Sequence, residues 1–342
     1  MNFLLLIRHI GLPESGEFCF NFRHPVLSHC SLVLASIIVV VARLVKLRHG
    51  LTMSNSSGVR LTVNGRTDIG QVRDENEDSI RWRADPNHPF AYVVIADGMG
   101  GYSGGALASR ITVDTLSQSF DRLLTPTFLA CTPDQQNLMI HASLRSTIKQ
   151  ANQSIVDAKL ENPQFAHMGT TLVLALIWQS QITVAHIGDS RAYLWSLGGI
   201  APLTKDHSVV QEMIDAGSLT EEQARVSEVR NHITRAMGVA EDVEPVIRTM
   251  NLNANSVILL CSDGLSEYFD DATLEQVLAT HRPVSDCCSR FIAEANELGG
   301  KDNISVGLIE FSMTVQPQSH FPGSIPTSDG EDTTIRQGRF NR

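Results

Sequence analysis

The stretch Tyr92-Val93-Val94-Ile95-Ala96-Asp97-Gly98-Met99-Gly100-Gly101 decides how the chain is read. Five apolar residues, rich in β-branching, form a buried strand that ends abruptly on a carboxylate. A buried, unpaired carboxylate is costly, so Asp97 needs either solvent or a cation. The glycines after it allow a sharp turn and bring backbone carbonyls close to whatever Asp97 holds. On this stretch alone, a solvated aspartate in an ordinary strand-to-helix turn explains the residues equally well.

The pattern recurs. His186-Ile187-Gly188-Asp189 and Cys261-Ser262-Asp263-Gly264 also carry an apolar run into an aspartate at a turn, and Lys301-Asp302-Asn303 precedes the last strand. Four such aspartates at the rims of adjacent strands predict one shared acidic cluster. It would repel itself unless divalent cations neutralised it. The donors are almost all oxygen, with His186 the one imidazole nearby, which favours Mg²⁺ or Mn²⁺ over zinc.

Working outward, strands are predicted over 60–68, 79–83, 90–96, 172–178, 182–187, 191–197, 246–250, 257–262 and 304–311. Apolar residues at helical spacing predict long helices over 104–124 and 135–160, and shorter ones over 208–216, 272–279 and 284–298. Residues 125–133 read as a loop. Antiparallel hairpins mixed with two pairs of helices point to an α+β fold in which sheets are covered by helices.

The ends of the chain differ from this body, which begins at Val59. Residues 1–52 form an N-terminal extension. Its segment 26–42 is mostly apolar and is followed by Arg43, Lys46 and Arg48, as in a short membrane span with its basic flank inside. The polar run from Met53 reads equally as a natural amino terminus, with the extension a mis-assigned start. Residues 313–342, poor in apolar side chains, read as a disordered tail. Hydrophobic residues make up 42% of the 342-residue chain, enough for a sizeable core. The net charge of −10 argues against nucleic-acid binding and suits carboxylates that bind cations. Six cysteines without CxxC or zinc spacing point to a reducing, cytoplasmic setting.

Further motifs complete the series. They are Gly70-Gln71-Val72-Arg73-Asp74-Glu75-Asn76-Glu77-Asp78, Gly169-Thr170-Thr171, Gly188-Asp189-Ser190-Arg191, Thr234-Arg235-Ala236-Met237-Gly238, Ser262-Asp263-Gly264 and Lys301-Asp302-Asn303-Ile304-Ser305. With Ala96 to Gly101, and in this order, they resemble the bacterial metal-dependent Ser/Thr phosphatases of the protein phosphatase 2C (PPM) family over residues 60–312. The resemblance implies two packed antiparallel β-sheets flanked by helix pairs, an α-β-β-α sandwich, and a helical flap at about 206–238. It implies two Mn²⁺ or Mg²⁺ ions and a third, weaker site. Asp97 would bridge the two ions and act in catalysis, and Gly98 would offer its carbonyl to one of them. Asp263 and Asp302 would complete the other ion's shell, Glu77 and Asp78 would lie close by, and Asp189 would hold the third ion with Asp263. Arg73 would bind the substrate phosphate and take part in catalysis; its planar fork suits two phosphate oxygens. His207 and His232, in the flap, read as structural or surface residues.

The implied partners are phosphoproteins made by a Ser/Thr kinase, with no nucleic acid and no membrane contact except through 26–42. A monomer is expected, in the cytoplasm or anchored to the inner face of the membrane. One departure stands out. Animal members of the family commonly carry a histidine two residues after the bridging aspartate, and here Met99 occupies that position and cannot donate a proton. A competing pattern, G-x-S-x-G at Gly101-Tyr102-Ser103-Gly104-Gly105, mimics a nucleophile elbow but places Ser103 too far past the strand tip.

Overall fold

The computed structural model describes residues 51–54, 58–101, 104–280 and 283–313. The segment 26–42, the tail beyond Met313 and Ser103 lie outside the described residues. Along the chain run β1 (Leu51–Ser54), β2 (Val59–Asp68), β3 (Ser79–Ala84), β4 (Phe90–Ala96) and the short β5 (Gly98–Met99). Helices α1 (Gly104–Phe120), α2 (Pro126–Leu129) and α3 (Pro133–Glu161) follow. Next come β6 (Gly169–Thr170), β7 (Leu172–Trp178), β8 (Gln181–Ile187), β9 (Arg191–Ser196) and β10 (Gly199–Pro202). The remaining elements are α4 (Val209–Asp215), α5 (Glu221–Arg225), β11 (Val246–Asn251), β12 (Ser256–Cys261), α6 (Asp263–Ser266), α7 (Asp271–Thr280), α8 (Val284–Glu297) and β13 (Ile304–Met313). Among the described residues, no helix is long and apolar enough to cross a membrane.

The strands form two antiparallel sheets, ordered β1-β2-β13-β12-β9-β10 and β11-β8-β7-β4-β3, with β5 and β6 paired separately. Side chains on a strand alternate between faces, and here both faces are covered. In β4, Ala91, Val93 and Ile95 pack between the sheets, while Phe90, Tyr92 and Val94 face α1 and α3. In β7, Val173, Ala175 and Ile177 turn inward and Leu172, Leu174 and Leu176 turn to the helices. The other sheet does the same: Ile258 and Leu260 of β12 lie between the sheets, and Val257, Leu259 and Cys261 pack under α7 and α8. The layers are therefore helix, sheet, sheet, helix. Burial on both faces is why these strands read as unbroken apolar runs rather than alternating ones.

Three expectations are corrected. Residues 125–133 are not all loop. Thr125 accepts a hydrogen bond from the Phe128 amide at 3.1 Å and Pro126 opens α2, a helical turn that buries Phe128 completely. The meander continues past Leu197, since β10 pairs back on β9 through Gly199↔Ser196. At the amino-terminal side, the sheet begins at Leu51, which pairs with Val63, ahead of the Val59 boundary.

Candidate metal and phosphate site

Register brings the acidic residues together. Ser79 of β3 pairs with Ala96 of β4, so Asp78 and Asp97 are neighbours at one edge. Ile95 pairs with Val173, and Leu172 with Ile187, which brings the Gly188-Asp189 turn to the same end of that sheet. In the facing sheet, Cys261 pairs with Val306 and Ile304 with Asp68, which places Asp263 beside Asp302 and Asn303. Cys261 also pairs with Arg191, just past the Asp189 turn, so the ends of both sheets meet there.

Short polar bonds hold these ends. The Asp97 amide donates to Thr171 Oγ1 at 3.0 Å, while the Asp97 carbonyl accepts from the Thr171 amide and from Thr170 Oγ1, each at 2.8 Å. Thr171 Oγ1 lies 2.7 Å from Ser190 Oγ, linking the turns that carry Asp97 and Asp189. Ser262 Oγ donates to Asp78 Oδ2 at 2.8 Å. Gly98 is pressed against a second backbone: a Cβ there would stand 2.2 Å from the Gly105 carbonyl oxygen and 2.6 Å from that of Glu77. No other residue fits.

The electrostatics are those of crowded carboxylates. Burial, with Asp78, Asp263 and Asp189 adding repulsion, holds the Asp97 carboxyl well above the usual range, and it shares a hydrogen bond with Asp263. Burial pushes Asp78 up to about 7 against hydrogen bonds from Ser305 and Ser262, and Asp263 and Asp302 add to the shift. Burial, Asp263 and Asp206 push Asp189 up to about 7. Asp263 is raised by burial and then by Asp302. Glu77 is raised by burial, which outweighs a backbone N–H bond from Gly105. Arg73 is drawn in against these charges, its Nη2 2.6 Å from Asp302 Oδ2.

Among the described residues, no three carboxylate, imidazole or thiol side chains close around a single point as a finished metal cage. Asp97 shares a hydrogen bond with Asp263, and Arg73 pairs with Asp302. They nevertheless fit a hard divalent cation. Glu77 Oε1, Asp78 Oδ1 and Asp263 Oδ1 are buried oxygens without a hydrogen-bond partner. Orphaned acceptors in a cluster without imidazole or thiol donors suit Mg²⁺ or Mn²⁺.

His186 and His207 stack on each other at 4.7 Å and 17°. The Gly188 amide donates to His207 Nδ1 at 3.1 Å, and burial, His186 and Arg235 hold His207 down at about 4. Both rings are packing groups. The segment between them and β11 folds as α4 and α5 above a neck in which the Val209 amide donates to His232 O and the Thr234 amide to His207 O. Sequence reading gave no role to Thr171, Ser262, Asn303 or the Arg191–Asp206 pair. That pair is a fork in which Nε and Nη2 of Arg191 reach the Asp206 carboxylate at 2.9 and 2.7 Å. All but Asp206 sit inside the quoted motifs, and only their contacts reveal what they do.

A family model described as protein phosphatase 2C matches residues 70–298. The chain belongs to the protein phosphatase 2C family. Among its relatives, the serine/threonine phosphatase stp of Listeria monocytogenes is 36% identical over 250 residues, covering 73% of this chain and 95% of that protein. The solved serine/threonine phosphatase of S. agalactiae aligns with a TM-score of 0.65 at 32% identity, covering 73% of this chain and 98% of that one. The catalytic domain of the serine/threonine protein phosphatase PstP in complex with two manganese ions aligns with a TM-score of 0.63 at 32% identity, covering 74% and 99%. The α+β sandwich of two antiparallel sheets is the fold these proteins share.

Proposed function

We propose that this chain hydrolyses phosphoserine and phosphothreonine on proteins, with two Mn²⁺ or Mg²⁺ ions held where the sheet ends meet. The observation that carries the proposal is the convergence of Asp78, Asp97, Asp189, Asp263 and Asp302 from distant strand ends, with buried orphaned oxygens beside Arg73. Asp97, the Gly98 carbonyl, Asp263 and Asp302 would hold the two ions, with Glu77 and Asp78 at their flank. Asp189 and Asp263 would hold a third. When bound, a pair of divalent cations lowers the pKa of water towards neutrality and offsets phosphoryl charge.

The chain's own groups do the rest. Arg73, exposed at the loop tip, orients the phosphate by a planar fork. The Thr171 and Gly105 contacts keep the Asp97-Gly98 turn from shifting. Met99 supplies no proton, so the leaving hydroxyl of the substrate takes its proton from solvent at the site. The partners would be phosphoproteins made by a Ser/Thr kinase that this chain opposes, met in the cytoplasm.

The test is hydrolysis of p-nitrophenyl phosphate and of a phosphothreonine peptide. EDTA abolishes both and Mn²⁺ restores them. Asp97→Asn lowers turnover at least a hundredfold, on the order of 3 kcal/mol of transition-state stabilisation, and weakens Mn²⁺ binding. A variant with full turnover, or an enzyme indifferent to EDTA, would refute the assignment.

A further inference from the structure

We propose that Asn303 is a positioning residue that braces the loop between β2 and β3 and thereby presets Arg73. The proposal rests on the assignment of Arg73 to the phosphate. Asn303 is 4% exposed and spends its whole side chain on that loop. Its Nδ2 donates to the Ile69 carbonyl at 2.9 Å and to the Glu75 carbonyl at 3.0 Å, and its Oδ1 accepts the Glu77 amide at 2.8 Å. Both ends of the loop are thus gripped by one amide. Its own backbone amide donates to Asp302 Oδ1 at 2.8 Å, so the grip is referenced to the carboxylate that Arg73 touches.

The residues between the grips need such a brace. Positions 71–75 are all exposed and belong to no strand or helix. Their backbone is tied by the Gln71 amide donating to the Gly300 carbonyl at 2.7 Å. Gly70 seats the loop against the same turn, with φ +83° and a would-be Cβ only 2.2 Å from the Asp302 carbonyl oxygen. Pinning Ile69 and Glu75 to one side chain shortens the free loop and removes much of the freedom that Arg73 would lose on binding phosphate. No hydrophobic side chain of similar size could replace the amide, because two carbonyls and one N–H would be left unpaired.

The test uses the full-length protein and two variants. Asn303→Ala deletes the brace. Asn303→Asp keeps the shape and the acceptor for the Glu77 amide but cannot donate to either carbonyl, and so guards against a folding failure of the alanine variant. Hydrogen–deuterium exchange of the segment 69–78 should quicken by roughly tenfold in both variants, the loss of one to two hydrogen bonds, with β4 unchanged. Inhibition of p-nitrophenyl phosphate hydrolysis by inorganic phosphate, at saturating Mn²⁺, should weaken by a similar factor. In an Arg73→Ala background the same substitutions should cost no more than about twofold, because both act on one binding event. KM should rise more than kcat falls, and the Mn²⁺ dissociation constant by calorimetry should hold.

Unchanged exchange at 69–78 would overturn the proposal. Equal losses in both backgrounds, or Mn²⁺ affinity falling in step with phosphate affinity, would also overturn it, since Asn303 would then act through Asp302 or the fold at large. If Arg73→Ala alone leaves phosphate inhibition intact, the phosphate role of Arg73 fails, and the exchange measurement still decides whether Asn303 braces the loop.

Discussion

Neutralising Asp78 should stabilise the metal-free protein. Asp78 is 7% exposed, accepts from Ser262 Oγ at Oδ2 and leaves Oδ1 unpartnered. Burial lifts its carboxyl from the ordinary 3.8 to about 7. Across that window the folded state binds more protons than the unfolded one, so this group makes stability fall as pH rises from about 4 to about 7. A carboxyl raised this far weakens the folded state by on the order of a few kcal/mol at high pH. The repulsion is shared with neighbouring carboxylates, and an asparagine must still bury its amide, so Asp78→Asn should return about 2 kcal/mol. For a domain of this size that corresponds to a rise in Tm of roughly 4–8 °C. Thermal melts in EDTA at pH 5 and pH 8 read it directly: the variant melts higher than wild type at pH 8 and shows the shallower pH slope. With Mn²⁺ the order reverses, because wild type gains more from the ion. A variant that melts at or below wild type in EDTA at pH 8 would refute the account of a self-repelling, cation-ready cluster.

Two further substitutions probe the scaffold. Gly98→Ala drives a Cβ to 2.2 Å from the Gly105 carbonyl oxygen. The backbones must separate, and urea denaturation should show a loss of about 2–3 kcal/mol together with lost phosphatase activity; an active, equally stable variant would contradict the close approach. Phe128→Ala empties a fully buried site that packs edge-on to Trp178 at 5.1 Å. It should cost about 3–5 kcal/mol in chemical denaturation with little change in Mn²⁺ affinity, since Trp178 lies at the end of β7 opposite the aspartates.

Much of the fold was legible because its cause is local. β4 and β7 span exactly the predicted residues because a run of apolar, β-prone side chains ending at a turn reads the same in sequence and in space. The long helices followed from apolar residues recurring every three or four positions, though α1 stops at Phe120, short of the expected Leu124. The misses have local causes of another kind. In α2 a capping threonine and a proline make a helix too short for periodicity to register, and β10 is four residues long with two of them exposed.

The sequence by itself determined most of the strands and the long helices, the aspartates at the strand tips and the arginine loop ahead of them. Each depends on residues near one another in the chain. The tertiary structure alone decided which tips meet. Pairing Ser79 with Ala96 and Cys261 with Val306 is a matter of register, and register is set by which faces two sheets and four long helices can bury together. Arg73 reaches Asp302 across 229 positions, and Asn303 reaches Glu77 across 226. Burial and mutual repulsion, which raise Asp78 and Asp189 to about 7, exist only once those distances have closed. A carboxylate's charge is written in the chain; the field it sits in is made by residues that the chain's order keeps far apart.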